Sequence, residues 1–492
     1  MTDVTPYPPP PPYPPPPHAS RPSVPRPRVW AVPAVVDPAP RRLVAYALGT
    51  ALLLEIGLRG GADNLFVTAA VVVAVVALLA DGRLQRRQAR GLALVALVPA
   101  GFLAVRASPW LMWSNLALVA ALLGAAVLYS RSGSVFDATP GGLLQRAGAA
   151  TDRAIAGQAV VAALIPRLSA GDQRRAVRLG TALLVSVPVL AILVGLLASA
   201  DAVFASLLTP DADVGPLGGH VVLTLVLVPL VLGLAGAATS ALDDRHRTGG
   251  FGVAEVATML GLAALVLGLF AVSQLVALTG AGERLVSEAG LTPAEYARSG
   301  FFQLCWATGV LLGFLVVVRA LAAPGALENR AVRILGAAVP GLALGLVAVS
   351  LRRMALYDEA FGLTMLRLWV VLAAIWMGCV LVMTAARNAG RHSGGRWLVA
   401  GAGIAALVLV VGADVLNAEA FVARHNIERG RDGAQLDGGY LVELSDDAVP
   451  IIPGDAALSQ LLPCTGDRHG AAALNLSAAR AADSRRDVCP DP

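Results

Sequence analysis

The sequence predicts an all-α, polytopic membrane protein, and three observations predict it. Of 492 residues, 56% are hydrophobic and only 14% charged, against about 25% charged in soluble domains. Mean hydropathy is +0.69. The apolar stretches are long continuous runs, not short alternating ones. In a bilayer core without water every backbone polar group must bond internally, so long runs select helices over a barrel.

The elements follow in order. Residues 1–42 form a tail of their own: 16 of the 32 prolines fall in the first 40 positions, with tyrosines alone interrupting the run from Pro6 to Pro17. Such a segment is expected to be solvated polyproline II, either a disordered cytoplasmic spacer or a docking strip for an aromatic-grooved partner domain. The tail has no apolar core, so no cleavable signal peptide is expected and the first span directs insertion. Windows of about 20 residues, matched to a hydrocarbon layer of about 30 Å, then give eleven spans, with ten or twelve as neighbouring counts. They are 43–59, 63–80, 91–106, 110–130, 179–199, 218–240, 254–279, 300–322, 333–351, 366–386 and 396–416. The chain thus divides into a four-helix part (43–130), a loop (131–178), a seven-helix part (179–416) and a terminal tail (417–492).

Every one of the 38 Lys+Arg positions is arginine. In a soluble protein the isoelectric point near 9.3 would raise nucleic acid as a partner; scattered between apolar runs, these charges instead set orientation, and no nucleic-acid partner is expected. With the N-terminus inside, the cytoplasmic connections hold 24 arginines and the short outer ones 7, the last 7 lying in the C-terminal tail. The N-terminus is therefore expected in the cytoplasm and the C-terminus outside. In the inner loop, Leu144, Ala147, Ile155, Val161, Leu164 and Leu168 alternate with Arg146, Arg153, Arg167, Arg174 and Arg175. This fits either a helix lying on anionic lipid, kinked at Pro166, or two short helices capping the spans.

Ionisable groups in a bilayer cost roughly 2.5–3.5 kcal/mol each on insertion scales, so they are candidate functional positions. They gather at the outer ends of spans: Glu55, Asp201, Gln274, Gln303, Arg352, Arg353, Asp414, Asn417 and Glu419, with Asn115 the main mid-membrane exception. Two outer connections sharpen the cluster. In the first, Thr292 caps and Pro293 begins a helix on which Glu295, Arg298 and Phe302 share a face, beside Tyr296. The second runs from Arg352 and Arg353 through Tyr357, Asp358 and Glu359 to a stop at Gly362, a restart at Thr364, and Arg367. Such Arg, Tyr and Glu sets bind a phosphate-bearing headgroup or a carboxylate, or else lock loop to loop as ion pairs.

These stretches, Glu295 to Phe302 and Leu356 to Arg367, together with Asn417 to Arg429 (containing Arg424 and Asn426) and Tyr440-Leu441 with Leu444 to Pro450, resemble a bacterial polytopic membrane family. It is known as domain of unknown function 4173 and is close to number 4153. The likeness spans approximately the fifth to eleventh spans and the start of the tail, implies a multi-pass architecture, and points at the same outer residues without naming a reaction. Where the family pattern often has glutamate this chain has Gln303, which weighs against a proton-carrying role there.

Past the last span a helix is expected through about Gly430, then a polar tail too small to bury a large core alone. Cys305 and Cys379 read as apolar fillers, whereas Cys464 and Cys489 are expected to pair as a disulfide. No ligand spacing implies a metal, no HExxH, Walker or GxSxG pattern implies an enzyme, and no cofactor is expected. The Gly309/Gly313 and Gly341/Gly345 spacings are expected to allow close helix packing within the bundle. Three functions compete. The first is an envelope or signalling protein binding a lipid headgroup or a partner protein at its outer face. The second is a secondary transporter, which wants internal repeats and broken helices. The third is a lipid-linked transferase, for which the first outer loop is short.

Overall fold

The computed structural model describes residues 41–59, 61–143, 145–147, 251–277, 293–390, 397–464 and 474–489. The proline-rich tail, most of the inner loop, the spans expected at 179–199 and 218–240, and the Thr292 cap lie outside the described residues. Among the described residues the protein is helical, with one isolated bridge between Phe251 and Ala322.

Helix α1 (Arg41–Arg59) packs on α2 (Leu65–Ala80). The crossing is close because Gly57 lacks a Cβ, which would lie 2.4 Å from Val67. The span expected at 91–106 is instead two short helices, α3 (Arg87–Val95) and α4 (Leu97–Phe102). Pro99 is the reason: it has no N–H to offer Val95 and its ring crowds that carbonyl, so the helix breaks at Ala96. The long helices follow: α5 (Pro109–Leu128), α6 (Val253–Ala277), α7 (Pro293–Leu321), α8 (Arg330–Phe361), α9 (Met365–Ala389) and α10 (Leu398–Leu416). These six are long and apolar enough to cross a membrane. By contrast α2 is only 16 residues long, and α1 carries Arg41, Arg42, Glu55 and Arg59.

The packing runs as a chain of neighbours. Helix α8 contacts α6, α7 and α9; α9 contacts α10; α10 leads to α5; and α5 rests on α3 and α4, which reach α2. Small side chains let the backbones close: Ala89, Ala93, Ala100 and Ala126 lie in the core of the first part and Ala343 and Ala374 in that of the second, where Val339 and Leu381 fill the remaining space. The outward faces are apolar, Trp306 being 76% exposed, as a lipid-facing surface requires. Two expectations need correction. A Cβ on Gly309, Gly313, Gly341 or Gly345 would meet nothing within 4 Å, so those spacings are not close crossings among the described residues. Gly336 and Gly57 serve that purpose. Nor does the last span continue smoothly past its end, because Asn417 takes a left-handed backbone (φ 54) and starts a separate helix, α11 (Ala418–Arg431).

Beyond α11 the chain folds over one end of the bundle as a cap. Ile427, Leu441, Val449, Ile452 and Leu458 form its own small core, closed by α12 (Leu476–Val488) and by a disulfide between Cys464 and Cys489. At 32 residues, α8 is about 48 Å long, more than a hydrocarbon layer needs, and its end reaches this cap.

Candidate functional site at the capped end

Two polar clusters hold the cap to the bundle. The first surrounds the turn between α8 and α9. Gly362 ends α8 with φ 75, and a Cβ there would fall 2.4 Å from Asn426, so only glycine fits. Asn426 then bonds Leu363 twice, its Oδ1 accepting from the Leu363 N–H (2.9 Å) and its Nδ2 donating to the Leu363 carbonyl (2.7 Å). Arg429 donates to the Glu359 carbonyl at 2.7 Å, and His425 lies 3.1 Å from Asp358. Arg367 donates to the Gly362 carbonyl while its guanidinium lies over the Tyr357 ring, 4.3 Å from the centroid.

The second cluster caps α5 from a distance. Asp447 is buried, and its Oδ2 accepts from the backbone N–H groups of Ala107 (2.9 Å) and Ser108 (2.8 Å), donors left without intrahelical partners where α5 begins. Its Oδ1 accepts from the Ser477 hydroxyl and lies 3.8 Å from Arg106. Glu419, 2% exposed, accepts from the Ser108 hydroxyl (2.7 Å) and the Ser445 N–H (2.6 Å). Burial pushes its carboxyl above the usual glutamate range, while the Ser445 and Ser108 hydrogen bonds pull the other way. Asn475 gathers the loops below, donating to the carbonyls of Asp63 (2.7 Å) and Arg106 (2.8 Å).

Between the clusters lies a cavity of about 550 Å³. Trp110 and Tyr440 wall it, Glu419 lies at its base, and the exposed Glu443 stands beside them. The Tyr440 hydroxyl accepts from the Met365 N–H at 2.8 Å, and burial raises its ionisation above the ordinary tyrosine value. The exposed Glu443 carboxylate beside the Trp110 and Tyr440 rings favours a cationic group.

The candidate residues divide accordingly. Tyr357, Glu359, Arg367 and Asn426 meet at the α8–α9 turn, and Asn417 joins the second cluster, its Nδ2 donating to the Asp447 carbonyl at 3.1 Å. Glu55 is buried and pairs with Arg59 one turn on; Arg352 and Arg424 are exposed, and Arg353 is half-buried. For Gln274, Glu295, Tyr296 and Arg298 the described structure is the helix backbone, and Asp201 lies outside the described residues. Sequence reasoning missed Trp110, Ser108, Asn475 and Ser477, and placed Asp447 only within the stretch Leu444 to Pro450 that carries the resemblance, without a role. The one local signal was the helix-start chemistry of Ser108-Pro109 and Asn475-Leu476-Ser477.

Among known proteins, the model of a family described as domain of unknown function (DUF4153) matches residues 91–453. No curated protein and no solved structure matches.

Proposed function

The chain belongs to the DUF4153 family, and from that premise we propose that it is a multi-pass protein of a bacterial plasma membrane whose capped end faces outward and binds a lipid headgroup. The observation that carries this reading is the cavity at the base of the cap, lined by Trp110, Tyr440 and the exposed carboxylate Glu443. The cavity lies where α5 and α9, both long and apolar enough to cross a membrane, begin. Of the arginines in the two outer connections, Arg367 is engaged by the Gly362 carbonyl and the Tyr357 ring, and among the described residues none of them lines the cavity. The Glu443 carboxylate and the aromatic rings instead suit the ammonium end of an ethanolamine headgroup. The outward orientation draws on the arginine bias of 24 to 7 and on a disulfide in the cap, which suits an oxidising compartment.

Retention of phosphatidylethanolamine and phosphatidylglycerol by the detergent-purified full chain, read by native mass spectrometry, tests the proposal. Ethanolamine lipid is expected to be retained preferentially. Trp110→Ala and Glu443→Gln are each expected to weaken it about tenfold, ~1.4 kcal/mol. Equal retention of both lipids, or variants that bind like the parent, contradicts it.

A further inference from the structure

Beneath the cap, Asn115 of α5 and Asp414 of α10 meet with both residues fully buried. Asn115 Nδ2 donates to Asp414 Oδ1 at 2.9 Å. That single bond leaves one oxygen on each side, Asn115 Oδ1 and Asp414 Oδ2, with no donor from the protein. Both are acceptors when the carboxyl is ionised, and two buried acceptors without donors cost several kcal/mol. A proton on Asp414 Oδ2 turns one of them into a donor to the other, so that amide and acid close a two-bond ring. A hard cation is a poor substitute, because it takes about six or more oxygens, and the surroundings here are Leu111, Ala413 and neighbouring apolar side chains.

We propose that Asn115 and Asp414 form a proton-binding site that joins α5 to α10 directly below the cap. The charged groups around it leave that proton in place. Arg106, from the connection before α5, donates to the backbone carbonyl of Asp414 at 2.7 Å, while its Nη1 lies 3.8 Å from Asp447 Oδ1. Glu419 of α11 is taken by Ser108 and Ser445. Helix α5 contributes no ionisable residue, and α9 carries Arg367, turned to Gly362, the exposed thiol Cys379, and Arg387 near its far end. Trp369 Nε1 is a buried donor without an acceptor, packed against the same apolar cluster, but it is not bonded to either oxygen.

The site is tested on the full chain in nanodiscs at neutral pH. With aspartate carrying a ¹³C carboxyl label, the infrared spectrum is expected to contain a protonated-carboxyl band that disappears in Asp414→Asn. That variant places an N–H where the proton was and is expected to melt within about 2 °C of the parent, and Trp369→Phe is expected to leave the band unchanged. A labelled parent without the band, a band that survives Asp414→Asn, or an Asp414→Asn protein that fails to fold overturns the proposal. So does loss of the band in Trp369→Phe, which would make the indole the missing partner.

Discussion

Glu419 enters the cap with both carboxylate oxygens in use, one by the Ser108 hydroxyl and one by the Ser445 N–H, yet burial still dominates and raises its ionisation above the ordinary value of 4.5. The sign follows directly. A carboxyl whose folded value is raised holds its proton more tightly when folded, so its contribution is fully present below the unfolded value and is lost as pH rises through the folded one. The cap is therefore expected to become less stable from about the glutamate range upward. Glu419→Gln, which keeps the shape and one acceptor, is expected to flatten that dependence in thermal melts; identical pH profiles would reject the assignment. The sequence exposed part of this residue-scale picture. Asn417 and Glu419 stand out as polar groups directly at the end of an apolar run, and Asn426 through the stretch Asn417 to Arg429 that carries the family resemblance. Ser108 does not, being one polar residue in a short connection, and Asp447 is marked only by lying in the stretch Leu444 to Pro450, with nothing to name its partner. Their contact joins positions 339 apart in sequence, a separation over which no local periodicity carries information.

At the scale of elements, prolines decide what hydropathy cannot. Pro99 divides an expected span into α3 and α4, whereas Pro340 lies inside α8 without ending it. The difference is what happens to the carbonyl four residues earlier. Pro340 deprives Gly336 of its donor, and Asn388 on α9 replaces it, its Nδ2 donating to the Gly336 carbonyl at 2.6 Å. Gly336 permits this because a Cβ there would lie 3.2 Å from the Asn388 amide. Asn388→Leu is expected to strip that bond and cost about 1–3 kcal/mol, measured as a lower unfolding temperature in nanodiscs; a parent-like melt would show that water or another donor satisfies Gly336. The long helices themselves were legible, since a run of apolar residues fixes its own backbone state in lipid. The stop at Gly362 and restart at Thr364 were legible too, because a left-handed glycine and a threonine cap are local chemistry. The glycine spacings were not: Gly309 and Gly313 have the right separation and the wrong face, and facing depends on neighbours that one helix does not specify.

For the whole molecule, the cap is the organising feature. Asn475 ties it to the α1–α2 and α4–α5 connections, Asn426 and Arg429 tie it to the α8–α9 turn, and Asn417 links it to α10. These connections share one end of the bundle, which is the set the arginine count assigns to the outside. The resemblance read from the sequence named two related families, and the model of DUF4153 is the one that matches, over residues 91–453. Its reach into the cap agrees with the structural dependence of cap and bundle on each other. If the junction of cap and bundle holds a lipid headgroup, a cryo-EM reconstruction of the full chain in nanodiscs made from phosphatidylethanolamine and phosphatidylglycerol will show it. Lipid density is expected to enter the cavity between Trp110 and Tyr440, with its headgroup beside Glu443 and the cap on the membrane face opposite the N-terminal tail. A cavity filled by protein side chains, or ordered lipid bound only elsewhere on the bundle, would contradict it.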